Sequence, residues 1–535
     1  MLDDQFVPTI TNVRQGYTDG DFTPRQLVEF LQQRAQQYTD RNIWISLIEP
    51  AVLEVYLSHL ESIPVDSLPL YGVPFAAKDN IDIQGFTTTA GCPEFAFDPT
   101  DNASITGKLI EAGAIPLGKT NLDQFATGLV GTRSPHGPCG NAFDPAYISG
   151  GSSSGSAVAV SLGLVSFSLG TDTAGSGRVP AMLNNLVGLK PSRGLFSMTG
   201  VVPACRSLDC PSVFALNTED AAVVFDVAAR FDVEDAYSRA NPFSNSVRHF
   251  GATLPPAIIG VPKQEQREFY GDENAAALFE ESLTQWQALG AEIIEIDFTP
   301  LLSAARLLYE GPWVAERYAA LEELINTTTE VIHPVVRGIV EGANGKTAVE
   351  TFKAEYQMQE YRAYTQQVFS QVDMLLTPTA PRHYLIEEVL ADPVRLNSNM
   401  GHYTNFMNLL DLCGVAIPAG FLPDGKPFGI SLVAPAFRDV ELLNHARAWQ
   451  HTLSLPTGTF TETIRQNENL TADAAHQSTI DIAVCGAHLK DFPLNWQLRE
   501  RGATLKQTTT TSATYKLFLL SDFEPPRPGL IRTAN

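Results

Sequence analysis

Two stretches of alternating strand-like and helix-like sequence predict an α/β fold: a central mixed β-sheet wrapped by helices, followed by a small C-terminal α/β domain. The first stretch runs from Leu70 to about Ala229 and the second from Ala257 to Phe298. Size is the third observation, because 535 residues with 44% hydrophobic content can bury at least one large core. No internal repeat with a period of about 20 to 50 residues is visible, which excludes solenoids and propellers.

The elements follow in chain order. Thr23-Pro24-Arg25-Gln26 is a capping box with proline at the first helical position, and Leu27, Val28, Leu31 and Ala35 then share one helical face. Ile105–Ala112 reads as a helix closed by Gly113, with a strand over Ala114–Gly118. Ala157–Leu164 is helix-like. The second alternation places a strand at Ala257–Val261, a helix at Glu273–Leu289 ended by Gly290, and a strand at Ala291–Phe298. Met374–Leu376 and Val415–Ile417 read as buried strands, and Pro423-Asp424-Gly425-Lys426 as a hairpin turn leading into Phe428–Val433. After about Thr452 the chain turns polar and aperiodic until Ile480. These shifts divide the chain into a body at 1–455, a linker at 456–479 and a small C-terminal domain at 480–535.

With 36 Lys and Arg against 60 Asp and Glu, the net charge is −24. Such a chain repels phosphate backbones and anionic lipid, so neither nucleic acid nor a membrane is expected as a partner. It also repels a small anionic substrate at long range, which would therefore need a fixed cation inside its pocket. The N-terminus MLDDQFVPTITN has no basic segment followed by an apolar one, and the protein reads as soluble and cytoplasmic. The six cysteines, Cys92, Cys139, Cys205, Cys210, Cys413 and Cys485, never fall at Cys-x-x-Cys spacing and read as buried reduced thiols. No cluster with metal-ligand spacing stands out, so neither a metal nor another cofactor is expected.

The densest unusual segment is Ser149-Gly150-Gly151-Ser152-Ser153-Ser154-Gly155-Ser156, followed by Gly170-Thr171-Asp172-Thr173-Ala174-Gly175-Ser176-Gly177-Arg178-Val179-Pro180. The first could be a flexible linker, although structured sequence flanks it. It is not a Walker A loop, since the closing Lys-[Ser/Thr] is missing. Formally it also matches a nucleophile elbow centred on Ser153, which would need a preceding strand and a late histidine, with His402 and His445 as options. A third segment is Gly72-Val73-Pro74-Phe75-Ala76-Ala77-Lys78-Asp79-Asn80. A lysine ending a central apolar strand cannot reach water, and desolvation lowers its pKa toward that of a general base; the alternative is an ion pair with Asp79.

Together the three segments resemble the amidase signature family, with 74 residues from Lys78 to Ser152 and 24 from Ser152 to Ser176. The resemblance implies the amidase-signature fold and an acyl-enzyme mechanism, with Ser176 as nucleophile, Ser152 as bridging serine after a cis Gly151–Ser152 bond, and Lys78 as final proton acceptor. It places the oxyanion hole at the backbone N–H groups around Thr173, Ala174 and Gly175. Asp172 and Arg178 are expected to brace that loop by pairing with each other.

Within the family, Gln124–Leu129, Arg206–Cys210 and Asn405–Asp411 resemble the branch that hydrolyses allophanate to ammonia and carbon dioxide via N-carboxycarbamate. Val484–Leu489, Pro493–Leu498 and Pro525–Leu530 resemble that branch's second domain, which usually continues further, so this one is expected to be incomplete. Allophanate carries a carboxylate, and arginine grips a carboxylate with two hydrogen bonds. The resemblance implies that Tyr309 and Arg317 do so here, with Gly128 offering backbone at the other end of the pocket. On the residues alone, Arg317 could instead pair with Glu310 or Glu316, and Gly128 could be a turn glycine. The resemblance further implies a homodimer and a link to urea carboxylase or to biuret and cyanurate breakdown. A general amidase, a glutaminase like that of glutamyl-tRNA amidotransferase, and a catalytically inactive scaffold are the other readings.

Overall fold

The computed structural model describes residues 2–461 apart from 253 and, in the C-terminal segment, residues 482–489, 492–499, 503, 505, 507–510, 512–520 and 527–532. Among the described residues, eleven strands form one mixed sheet. They are β1 (Trp44–Leu47), β2 (Pro74–Lys78), β3 (Ile115–Thr120), β4 (Phe167–Asp172), β5 (Val187–Lys190), β6 (Cys210–Ala215), β7 (Ile258–Pro262), β8 (Glu292–Ile296), β9 (Met374–Pro378), β10 (Leu412–Phe421) and β11 (Pro427–Pro435). Their order is β1-β3-β2-β4-β6-β5-β10-β11-β9-β7-β8. Strands β3, β2 and β4 run parallel, and β4, β6, β5, β10, β11 and β9 pair antiparallel in succession. This is the α/β architecture expected.

Helices cover both faces, so the central strands are buried on both sides and read as continuous apolar or small-residue runs. Every residue of β2, β3, β4 and β6 is buried. Between β2 and β4, the rings of Phe75 and Phe167 stack at 5.4 Å. The helix Pro24–Ala35 is capped by Thr23 and Gln26 reciprocally and buries Leu27, Val28, Leu31 and Ala35, as its pattern requires. Strands β10 and β11 join through the Pro423–Lys426 turn, where Leu422 N donates to Lys426 O at 2.8 Å. A second small core gathers Ala90, Cys92, Phe125, Leu321, Ile332, Val336 and Val340 beneath the helices Val314–Thr328 and Pro334–Glu341.

The segment assigned to a linker starts by docking on the body. Asn185 Nδ2 donates to Pro456 O at 2.8 Å and Gly458 O at 2.9 Å, and Thr459 Oγ1 donates to Ser161 O at 3.0 Å. The rest of that segment, 462–479, lies outside the described residues, as do Pro525 and Pro526. The C-terminal segment contains a short helix, Asn495–Arg499, and the antiparallel pair β12 (Tyr515–Leu520) and β13 (Arg527–Arg532). Five cysteines are buried and free. Cys485 departs from the expectation and is exposed, in a segment with no described buried side chain. No described helix is long and apolar enough to cross a membrane.

Candidate active site

The site forms where the parallel strands β2 and β4 end. Lys78 is the last residue of β2, wholly buried, with Nζ 2.7 Å from Ser152 Oγ and 2.7 Å from Thr171 Oγ1 on β4. Ser152 Oγ lies 3.0 Å from Ser176 Oγ, and the Gly151–Ser152 peptide is cis, as the resemblance implies. Lys78, Ser152 and Ser176 thus form one continuous hydrogen-bonded chain. Asp79 does not pair with Lys78. Its Oδ2 accepts from Thr89 N at 3.0 Å, and its Oδ1 faces Lys119 Nζ at 3.5 Å. Burial brings the Lys78 pKa down to about 7, against the opposing pull of Asp123, Asp209 and Asp172. Near neutral pH this amine can therefore give up its proton and accept one across the same 2.7 Å contact.

The loop after β4 carries Thr173, Ala174, Gly175 and Ser176. Among the described residues, their backbone N–H groups donate to no acceptor. Gly175 has φ +147, and a Cβ there would lie 2.4 Å from Thr404 Oγ1, so only glycine fits. Three contacts hold the loop. Arg178 grips Asp172 with Nε and Nη2, both at 2.9 Å, the pairing expected from the sequence. Asn408 Nδ2 donates to Asp172 O at 2.7 Å and Thr173 O at 3.0 Å. Thr173 Oγ1 donates to Asp209, whose carboxylate also accepts from Ala204 N and Cys205 N.

Arg317 lies in the helix Val314–Thr328 and is 2% exposed. Its Nη1 donates to Thr127 Oγ1 at 3.0 Å and its Nη2 to Tyr309 Oη at 3.4 Å, while its Nε has no partner among the described residues. Neither neighbouring glutamate is hydrogen-bonded or ion-paired to it: Glu316 accepts from Ser207 N and Oγ and acts on the guanidinium only at longer range, and no described hydrogen bond or ion pair joins Glu310 to it. Gly128, next to Thr127, sits at the nucleophile's end of the site, since its carbonyl accepts from Ser176 Oγ at 3.4 Å. It is not a left-handed turn glycine. A Cβ there would lie 2.3 Å from Asp123 Oδ2.

The elbow reading of the serine-rich segment fails on geometry. Ser153 Oγ is tied to β4, donating to Thr171 O at 3.2 Å and accepting from Thr171 N at 3.3 Å. His402 faces Tyr270 Oη at 3.3 Å, and His445 lies against the Trp286 ring. Sequence reasoning missed Thr127, Thr171, Asp123, Asp209 and Asn408 as parts of the site. Thr127, Asp209 and Asn408 lie within the stretches that carry the resemblance, and Thr171 within the Gly170–Pro180 segment, which was the available signal; nothing in those stretches marks which side chains reach the site, and Asp123 lies one residue outside them.

A mixed sheet that brings a buried lysine, two serines and free backbone N–H groups to one point defines an amide-hydrolysing enzyme. The chain belongs to the amidase family, whose profile, described as Amidase, matches residues 26–443; a second, described as the allophanate hydrolase C-terminal domain, matches 480–535. It is 46% identical over 507 residues to urea amidolyase of Saccharomyces cerevisiae, an alignment covering 92% of this chain and 27% of that protein. The chain thus spans about a quarter of that relative's length. It matches the solved allophanate hydrolase of Kluyveromyces lactis at 40% identity and TM-score 0.82, covering 98% of this chain and 87% of that one. It is also 31% identical over 471 residues to a glutamyl-tRNA(Gln) amidotransferase chain of Chromohalobacter salexigens, covering 83% and 96% of the two.

Two outcomes test this geometry. Because Lys78 must be neutral to accept a proton, kcat/KM should rise with pH through about 7 and fall tenfold per unit below it. A rate profile flat from pH 6 to 9 would remove Lys78 from that role. Arg178→Ala strands the buried Asp172 carboxylate and should cost about 3 to 5 kcal/mol in denaturant unfolding.

Proposed function

We propose that this chain hydrolyses allophanate (urea-1-carboxylate), with Lys78, Ser152 and Ser176 as the catalytic residues. Ser176 Oγ attacks the terminal carbamoyl carbon while its proton passes through Ser152 to neutral Lys78. The developing oxyanion takes hydrogen bonds from the N–H groups of residues 173 to 176. Collapse expels ammonia, which receives the proton back through Ser152. Water then releases the acyl group as N-carboxycarbamate, whose loss of carbon dioxide leaves ammonia and carbon dioxide as net products.

The observation that carries the substrate is Arg317: a buried guanidinium held on Thr127, whose neighbour Gly128 faces Ser176, hydrogen-bonded only to hydroxyls and to no carboxylate. In a chain of net charge −24, such a cation is the feature a small carboxylate needs. The similarity to the Kluyveromyces lactis allophanate hydrolase over 87% of its length supports the same reading. A general amidase acting on neutral amides has no comparable use for an uncommitted buried arginine; free glutamine does carry an α-carboxylate, so against a glutaminase it is the greater similarity to the allophanate hydrolase and urea amidolyases that favours allophanate. We assign residues 1–455 to the amidase body and 480–535 to a second domain. The similarity to urea amidolyases suggests urea carboxylation as the source of substrate, ahead of biuret or cyanurate breakdown. A cytoplasmic homodimer is part of the proposal.

Ser176→Ala should lower allophanate-dependent ammonia release at least about a thousandfold, with the melting temperature unchanged. A dead Ser153→Ala beside an active Ser176→Ala would restore the elbow reading. Arg317→Ala should lower kcat/KM for allophanate by about 30- to 1,000-fold, because a charge-assisted contact to a buried carboxylate is worth about 2 to 4 kcal/mol. Turnover of neutral amides should survive that change. Equal loss on both would make Arg317 structural.

A further inference from the structure

A second arginine is buried beside the first. Arg133 is 1% exposed, and its guanidinium reaches only main-chain carbonyls: Nη1 donates to Thr127 O at 3.0 Å and Nη2 to Pro393 O at 2.6 Å. Its Nε has no partner among the described residues, and none of their ion pairs includes it. Thr127 is therefore held from two sides, its carbonyl by Arg133 and its hydroxyl by Arg317. One residue further on, the Gly128 carbonyl faces Ser176 Oγ.

The backbone leading into Thr127 needs such a clamp. Phe125 and Ala126 have φ +51 and +53, a region that L side chains rarely adopt. Arg133 closes this turn with its main chain as well, accepting from Gln124 N at 2.7 Å and donating to Asp123 Oδ1 at 2.9 Å. Two carbonyls, however, do not require a permanent charge. A neutral donor would satisfy them without the cost of burying an uncompensated guanidinium. Two cations on one threonine, neither of them hydrogen-bonded to a carboxylate through its guanidinium, make sense where the pocket is to receive an anion. Burial lowers the Arg133 pKa, Asp123 opposes that, and the Arg317 charge adds to it, as expected for neighbouring like charges.

We propose that Arg133 is a specificity-determining positioning residue: it clamps Thr127 against Arg317, and its unpaired charge biases the pocket toward anionic over neutral amides. This rests on the reading that Arg317 receives a carboxylate. A bound carboxylate relieves the repulsion between the two guanidinium groups, whereas a neutral amide leaves it in place. The effect belongs to binding and not to the chemical step.

The test uses the full chain with Arg133→Met and Arg133→Lys, reading KM and kcat for allophanate, competitive inhibition by malonate and the melting temperature. Arg133→Met should raise KM and the malonate Ki together by about 10- to 50-fold while kcat falls less than about threefold. Arg133→Lys, which keeps the charge and loses the planar fork, should recover at least half of the lost malonate affinity on a logarithmic scale. A fall in kcat at constant KM, or equal losses in both variants, overturns the proposal and leaves Arg133 a loop brace. If Arg133→Met does not fold, Arg133→Lys decides: malonate Ki within about tenfold of wild type supports the charge, and a larger loss overturns it. Failure of the underlying reading is a different result, seen as no allophanate turnover in the wild type or no effect of Arg317→Ala.

Discussion

The site depends on one constraint: a lysine buried at the end of a central strand must be left without a carboxylate. Lys78 is enclosed by β3 on one side and β4 on the other, so it cannot reach water. Desolvation then favours its neutral form, the form that can take a proton. A single committed carboxylate at hydrogen-bond distance would reverse this and fix the charge on the amine.

The acids around Lys78 are accordingly employed elsewhere. Asp79, its immediate neighbour, is turned toward Lys119 and the Thr89–Gly91 turn. Asp172 is taken by Arg178 and Gly177 N, and Arg178 draws its pKa down although burial alone would raise it. Asp123 accepts from Val130 N, Gly131 N and Arg133 N, and Asp209 from Thr173, Ala204 and Cys205. Each commitment also shapes the site. Asp172 and Asp209 hold the loop bearing Ser176, and Asp123 holds the turn bearing Thr127 and Gly128. The same diversion operates at Arg317, where Glu316 is occupied by Ser207.

Much of this was legible because it was local. The strand–helix alternation, the Thr23 capping box and the Pro423–Lys426 turn depend on neighbouring residues, and the three signature segments are contiguous in sequence. Other features are not local. The helix Ser154–Ser161 was legible only from Ala157 onward; its start is hidden because it is buried on every side and has no polar face to give it a period. The helix Ala348–Phe369 is hidden for the opposite reason: Val349, Phe352 and Tyr356 are exposed while Ala354, Met358 and Val368 are buried, so apolar residues lie on two faces. Thr127 and Arg317 meet across 190 residues, a contact that a resemblance can suggest at one end only. The diversion of Asp79 from Lys78 to Lys119 depends on which strand lies alongside, and the strand order is absent from any single segment.

Topology explains why segments 74 and 24 residues apart converge. Parallel neighbouring strands end at the same edge, and the loops leaving their carboxyl ends face one crevice, the usual place for ligands in open α/β sheets. Lys78 closes β2, Thr171 lies one residue before the end of β4, and Ser176 follows in the loop beyond it. Ser152 enters from the chain preceding β4, immediately before the helix that packs on β2 and β4. An antiparallel β2–β4 pair with the same sequence would carry Lys78 and Ser176 to opposite edges. The parallel pairing, secured by the stacked Phe75 and Phe167, is therefore a condition of the chemistry as well as of the fold.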